Sequence, residues 1–172
     1  MDPEFRADPL LVGLVFVLDS FAYTAMAPFV GFFSDRPSLY LTLLAIGNFG
    51  LLIAYSLLGP LPFLPIPSDT VWHVIVAIAV VGLFFPFAFM PTYSAMISTS
   101  VKRGIPKDMR LSGLVSGTFA SCFSLGSFIG PILGGYLTDV MGFTMAVSIA
   151  CCLPVCILIL IVIFTLSHKL FV

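Results

Sequence analysis

Asp19 is a carboxylate set inside an apolar run, Val17-Leu18-Asp19-Ser20-Phe21-Ala22-Tyr23. An ionisable group deep in a membrane segment costs at least ~2.5 kcal/mol, and it usually faces a partner or a water-filled pathway. Such a group suits a residue that exchanges a proton during a transport cycle. The alternative places Asp19 nearer the membrane surface, snorkelling or hydrogen-bonded to Ser20. Tyr23 stands four residues on, so it shares a helical face with Asp19. Asn48 and Tyr55 are seven apart and share another face, and a buried amide such as Asn48 needs partners. Tyr93 and Ser94 follow Pro86 and Pro91, two prolines that predict a broken helix, and broken helices often form transporter sites at mid-membrane. Asp19, Tyr23, Asn48 and Tyr93 are therefore the candidate substrate and proton pathway, each with a structural alternative.

Enzymatic chemistry has little to draw on. The sequence holds no nucleophilic triad pattern, HExxH, P-loop or GxGxxG, and its two histidines, His73 and His168, fall at the ends of apolar runs. Cys122, Cys151, Cys152 and Cys156 lie within apolar segments without metal-ligand spacing, and read as packing or lipid-facing residues. No metal or cofactor is expected, and the chain is not expected to be an enzyme.

The elements that must position these residues follow from composition. Of 172 residues, 60% are hydrophobic and 9% charged, against about 25% charged in soluble domains. So few charges cannot cover a globule, and the chain is predicted to be an all-α integral membrane protein. Five segments reach the ~20 apolar residues that cross a bilayer. They cover about 10–33, 38–58, 71–98, 111–138 and 143–166, with tails at 1–9 and 167–172. Unbroken apolar runs rather than strict alternation argue against strands. Asp35-Arg36-Pro37 predicts a tight turn, residues 59–67 a proline-rich extended link, 102–110 a charged loop and Asp139-Val-Met-Gly142 a short turn. With net charge −1 and no basic face, nucleic acid is excluded as a partner.

Lysine and arginine set the orientation. Five spans put Arg36, Lys102, Arg103, Lys107, Arg110 and Lys169 on one side and Arg6 on the other. The C-terminus is therefore expected in the cytoplasm. Trp72 and His73 open the third span at the opposite interface, where an aromatic belt is expected.

The fourth span carries Gly126, Gly130 and Gly134 at four-residue spacing, with Pro131 among them and Gly135 beside them. Glycines so spaced line one helical face and let another backbone approach closely. Ser112, Gly113, Ser116, Gly117, Ala120 and Ser121 prolong the small-residue ridge. It is first a packing device, and one that becomes functional if the contact rocks.

Gly126-x-x-x-Gly130-Pro131-x-x-Gly134-Gly135 resembles the antiporter motif of the major facilitator superfamily. Gly31-Phe-Phe-Ser-Asp35-Arg36 resembles that superfamily's short cytoplasmic loop motif, without its usual trailing arginines. Gly113-Leu-Val-Ser-Gly117 and Gly142-Phe143, with Val12-Gly-Leu-Val-Phe16 and Leu57-Leu-Gly-Pro60, are similar to the vesicular amine transporter family. Its polyamine branch fits better than its monoamine branch, because Pro86 and Ala120 stand where the monoamine branch carries acids. The resemblance covers about residues 12–143.

The resemblance implies a twelve-helix proton-driven exchanger of two six-helix lobes, of which this chain matches helices eight to twelve. It implies partners in the lipid bilayer, a small organic cation and a proton, and an N-terminal lobe that this chain lacks or a full-length homologue. Asp35 would help latch the lobes together. Location in vesicles or other endomembranes is implied, and the fragment alone would be inactive. A membrane adaptor that binds a full-length transporter, and a drug or sugar transporter of the same superfamily, are the alternatives. Asp19 has no counterpart in the family pattern and stands on the physical argument alone.

Overall fold

The computed structural model describes residues 9–36, 38–59 and 71–170, and these are helical almost throughout. The helices are α1 Pro9–Ser34, α2 Tyr40–Leu58, α3 Val71–Lys102, α4 Met109–Met141 and α5 Phe143–Leu170. All five are long and apolar enough to cross a membrane. The expected N-terminal tail, Pro37, most of the proline-rich link and the last two residues lie outside the described residues. Helix α5 continues to Leu170, so residues 167–170 are helical rather than a tail.

Local signals set the ends. Arg36 N–H donates to Phe33 O at 3.2 Å, and Leu39 N–H donates to Arg36 O at 3.0 Å, which closes the α1–α2 turn. Asp108 caps α4 with its side chain, accepting from Leu111 N–H at 3.0 Å, which satisfies one of the free amides of a first turn. The turn expected over 139–142 contracts to Gly142 alone, and residues 139–141 remain in α4. Gly142 adopts φ +83°, a conformation that a Cβ disfavours, so one glycine is enough to stop the helix.

The prolines do not break α3. Pro86 and Pro91 lie inside one continuous helix, and both are fully buried. The reason is close packing against α2. A Cβ added to Gly47 would stand 2.5 Å from Ala88 N and 2.6 Å from Phe87 C, and one added to Gly50 would collide with the Phe84 ring. The α3 backbone around the prolines is therefore pressed on the glycine face of α2, and that packing supports the helix where its hydrogen-bond ladder is weakened.

Helix α3 packs extensively on both α1 and α2, and α5 covers the far side of α2. At the α2–α5 contact, a Cβ on Gly59 would stand 2.7 Å from Val147 Cγ1. Helix α4 touches α5 and α3 lightly and buries only Leu111 and Val115. Many hydroxyls are satisfied within their own helices. Ser20, Thr24, Thr92 and Thr118, for example, donate to the carbonyl four residues back at 2.8–3.0 Å, as polar side chains in an apolar medium must.

Candidate functional site

Asp19 lies in the α1–α3 seam. A Cβ on Gly82 would collide with the Asp19 carbonyl oxygen and stand 2.8 Å from its Oδ1. Glycine at 82 is what lets the two helices meet there. Oδ1 of Asp19 is buried and has no hydrogen-bond partner among the described residues. The Ser20 hydroxyl, the alternative partner, donates to Phe16 O at 3.0 Å instead. Counting 1.5 Å per residue, Asp19 sits about 4 Å from the midpoint of α1, Pro9–Ser34, towards its N-terminal end.

Asp19, Ser20, Tyr23, Thr24, Gly82 and Phe85 line a cleft of about 330 Å³. An aromatic series leads away from it. Tyr23 and Phe85 have centroids 6.1 Å apart, and Phe85 stacks on Phe89 at 5.5 Å. Phe89 meets Phe119 and Phe123 of α4 edge-on at 4.7 and 5.3 Å. Tyr93 joins the series through Phe119 at 5.8 Å, and its hydroxyl is 3.0 Å from Ser116 Oγ. Three of the four pathway candidates, Asp19, Tyr23 and Tyr93, thus border one carboxylate-and-aromatic tract that crosses α1, α3 and α4.

Asn48 stands apart. It is 3% exposed, and its amide donates to Leu44 O of its own helix at 2.8 Å, which answers the need for a partner locally. A Cβ added to Gly31 would stand in ordinary contact with Met90 Sδ at 3.9 Å, and Asp35 and Arg36 are exposed at the C-terminal end of α1. Gly126, Gly130, Gly134 and Gly135 have no described atom within 4 Å of an added Cβ. These glycines, with Pro131, form an exposed face of α4. The ridge expected to pack finds no helix inside this bundle.

Several residues escaped the sequence reading. Gly47, Gly50 and Gly82 make the close contacts credited to the α4 ridge. Their signal was present but weak, since one pair at three-residue spacing and a lone glycine look ordinary in a membrane helix. Phe85, Phe89 and Tyr93 repeat every four residues, and that periodicity could have found the aromatic tract. Ser34 is 1% exposed and donates to Ser94 Oγ at 3.1 Å, a cross-helix bond sixty residues apart that no local pattern carries. All four cysteines are free, with Cys151 buried and Cys122, Cys152 and Cys156 exposed.

No solved structure matches the chain. Among curated proteins it is 38% identical over 125 residues to the human and mouse MFS-type transporter SLC18B1, and 37% identical to the rat protein. Each match covers 72% of this chain and 27% of the relative, so the chain spans about a quarter of the length of those proteins. Residues 1–170 match the Major Facilitator Superfamily. With five membrane-length helices and a match over nearly its whole length, the chain belongs to the Major Facilitator Superfamily.

Proposed function

We propose that this chain is part of a transmembrane transporter that exchanges protons for an organic cation, such as a polyamine or amine. The observation that carries the reading is the Asp19 carboxylate, with a buried oxygen that has no partner among the described residues, in a cleft walled by Tyr23 and Phe85. A carboxylate in such surroundings gains by taking either a proton or an ammonium group. Aromatic faces attract cations by about 0.5–2 kcal/mol, more where the cation is desolvated. One carboxylate can hold one positive charge at a time, so a proton and an amine compete for Asp19, which is the elementary requirement for exchange. The aromatic tract across α3 to α4 offers further faces to a cation that carries several charges along a flexible chain.

The remaining features support the setting. The basic residues of the helix ends favour a cytoplasmic C-terminus, and an amine exchanger of this type belongs in vesicles or other endomembranes. Alternating access needs two lobes around a central site, and the exposed glycine face of α4 suits a second lobe as partner. On this reading Asp35, at the α1–α2 turn, helps latch the lobes, and the fragment alone does not transport. That same exposed face also favours a second reading, in which the chain is a membrane adaptor docking on a full-length transporter.

The test is Asp19→Asn in a full-length transporter that carries this segment, with spermine uptake driven by a proton gradient. Loss of at least about tenfold is expected for an essential intramembrane carboxylate, with part of the activity kept by Asp19→Glu. Undiminished uptake by Asp19→Asn would remove this residue from the mechanism. Co-purification with a full-length transporter in mild detergent, with no effect of Asp19→Asn on uptake, would favour the adaptor.

A further inference from the structure

A second cleft, of about 480 Å³, opens between α2, α3 and α4 at the other end of the bundle from Asp19. Leu44, Met96, Val115 and Ile105 form apolar walls, and Thr99 and Arg103 stand at its mouth. The link after α3 builds this mouth. Gly104 takes φ +88°, its N–H donates to Val101 O at 3.0 Å, and Ile105 N–H donates to Ser100 O at 3.2 Å. The chain is thereby folded back on the end of α3, with Ile105 over the cleft and Arg103 beside it.

The available donors are few and well defined. The hydroxyls of Thr92 and Ser100, which also line the cleft, donate to Ala88 O and Met96 O of their own helix. Thr99 and the Arg103 guanidinium are what remain to meet a ligand. Asp108, the acid nearest in sequence, is engaged as the α4 cap, and no carboxylate pairs with Arg103 among the described residues. Lys102 at the end of α3, Lys107 on the link and Arg110 at the start of α4 are exposed, and none of them lines the cleft. Arg103 directly follows the last residue of Trp72–Lys102, a helix long and apolar enough to cross a membrane, so it belongs to the end of α3 that emerges from the apolar layer.

An apolar slot inside the membrane with a guanidinium at its headgroup end is matched to an amphipathic anion. We propose that this cleft binds an anionic phospholipid, with its phosphate on Arg103 and Thr99 and an acyl chain along Leu44, Met96 and Val115. A guanidinium meets phosphate oxygens with paired hydrogen bonds, and basic pockets between membrane helices are suited to acidic headgroups. Inorganic phosphate shares the headgroup chemistry but leaves the apolar walls unused. The inference rests on the membrane-spanning helices and not on the transport reading, so either can fail without the other.

Native mass spectrometry of the 172-residue chain, released from nanodiscs holding equal phosphatidylserine and phosphatidylcholine, tests the site. Phosphatidylserine should be retained over phosphatidylcholine, and Arg103→Gln should reduce its retention by about fivefold. Lys107→Gln, which removes a charge of the same link outside the cleft, should change retention by less than about twofold. Ala95→Leu, which fills the α3 wall and leaves every charge in place, should also displace the lipid, and it carries the test if Arg103→Gln fails to fold. Excess inorganic phosphate should leave the lipid bound. Equal retention of the two lipids, or equal losses from Arg103→Gln and Lys107→Gln, would overturn the proposal. So would displacement of the lipid by inorganic phosphate with no effect of Ala95→Leu.

Discussion

At the scale of single residues, the decisive contact is Gly82 against Asp19. Any side chain at 82 meets the Asp19 carbonyl, which is backbone and cannot swing away, and then Oδ1 at 2.8 Å. Gly82→Ala must therefore separate α1 from α3 or rotate one of them. We expect a loss of about 1–3 kcal/mol, the usual cost of overpacking a tight contact, read as a lower melting temperature in detergent. Melting unchanged from the parent chain would mean that α1 and α3 do not meet in this register. The Tyr93 hydroxyl bridges to Ser116 at 3.0 Å and tests the α3–α4 joint more gently. A double-mutant cycle of Tyr93→Phe and Ser116→Ala should give a coupling of about 0.6 kcal/mol, the average for such bonds between membrane helices. A coupling indistinguishable from zero would dissolve that bridge.

Between helices, glycine placement separates contacts made within this chain from a face left open. Gly47 presses on the α3 backbone and Gly50 on Phe84, whereas Gly130 has no described neighbour within 4 Å. Gly47→Ala should cost about 1–3 kcal/mol through overpacking. Gly130→Ala should be neutral or stabilise the isolated chain by up to about 1 kcal/mol, from helix propensity alone. In a full-length transporter the order should reverse for activity if a second lobe lies on α4, with Gly130→Ala impairing uptake while the isolated chain stays stable. Equal effects of the two substitutions on the melting of the isolated chain would contradict the packing described for α2 and α3.

On the scale of the whole molecule, the five helices form a bundle centred on α3, with α4 mostly uncovered. A transporter that alternates between two openings needs a second body to move against. Proteoliposomes containing this chain alone are therefore expected to show no proton-coupled amine uptake above empty vesicles. Uptake above that background would show that five helices, or an assembly of copies of them, suffice.

The sequence by itself determined that these are membrane helices, how many there are and roughly where they end, because an apolar run long enough to cross a bilayer leaves few other folds open to it. It also singled out Asp19, since a carboxylate in an apolar run announces itself by its cost. It did not determine which small residues make contacts. Gly47, Gly82 and Gly130 differ little in local sequence, and only the arrangement of the helices decides whether a missing Cβ faces another backbone or open space. For the same reason Pro86 and Pro91, which taken alone predict a break, sit in an unbroken α3, where the glycine face of α2 is laid against the same stretch. The Asp19 cleft with Tyr23 and Phe85, and the Arg103 cleft beneath Ile105, are likewise products of helix packing, in which side chains far apart in sequence are brought to one depth.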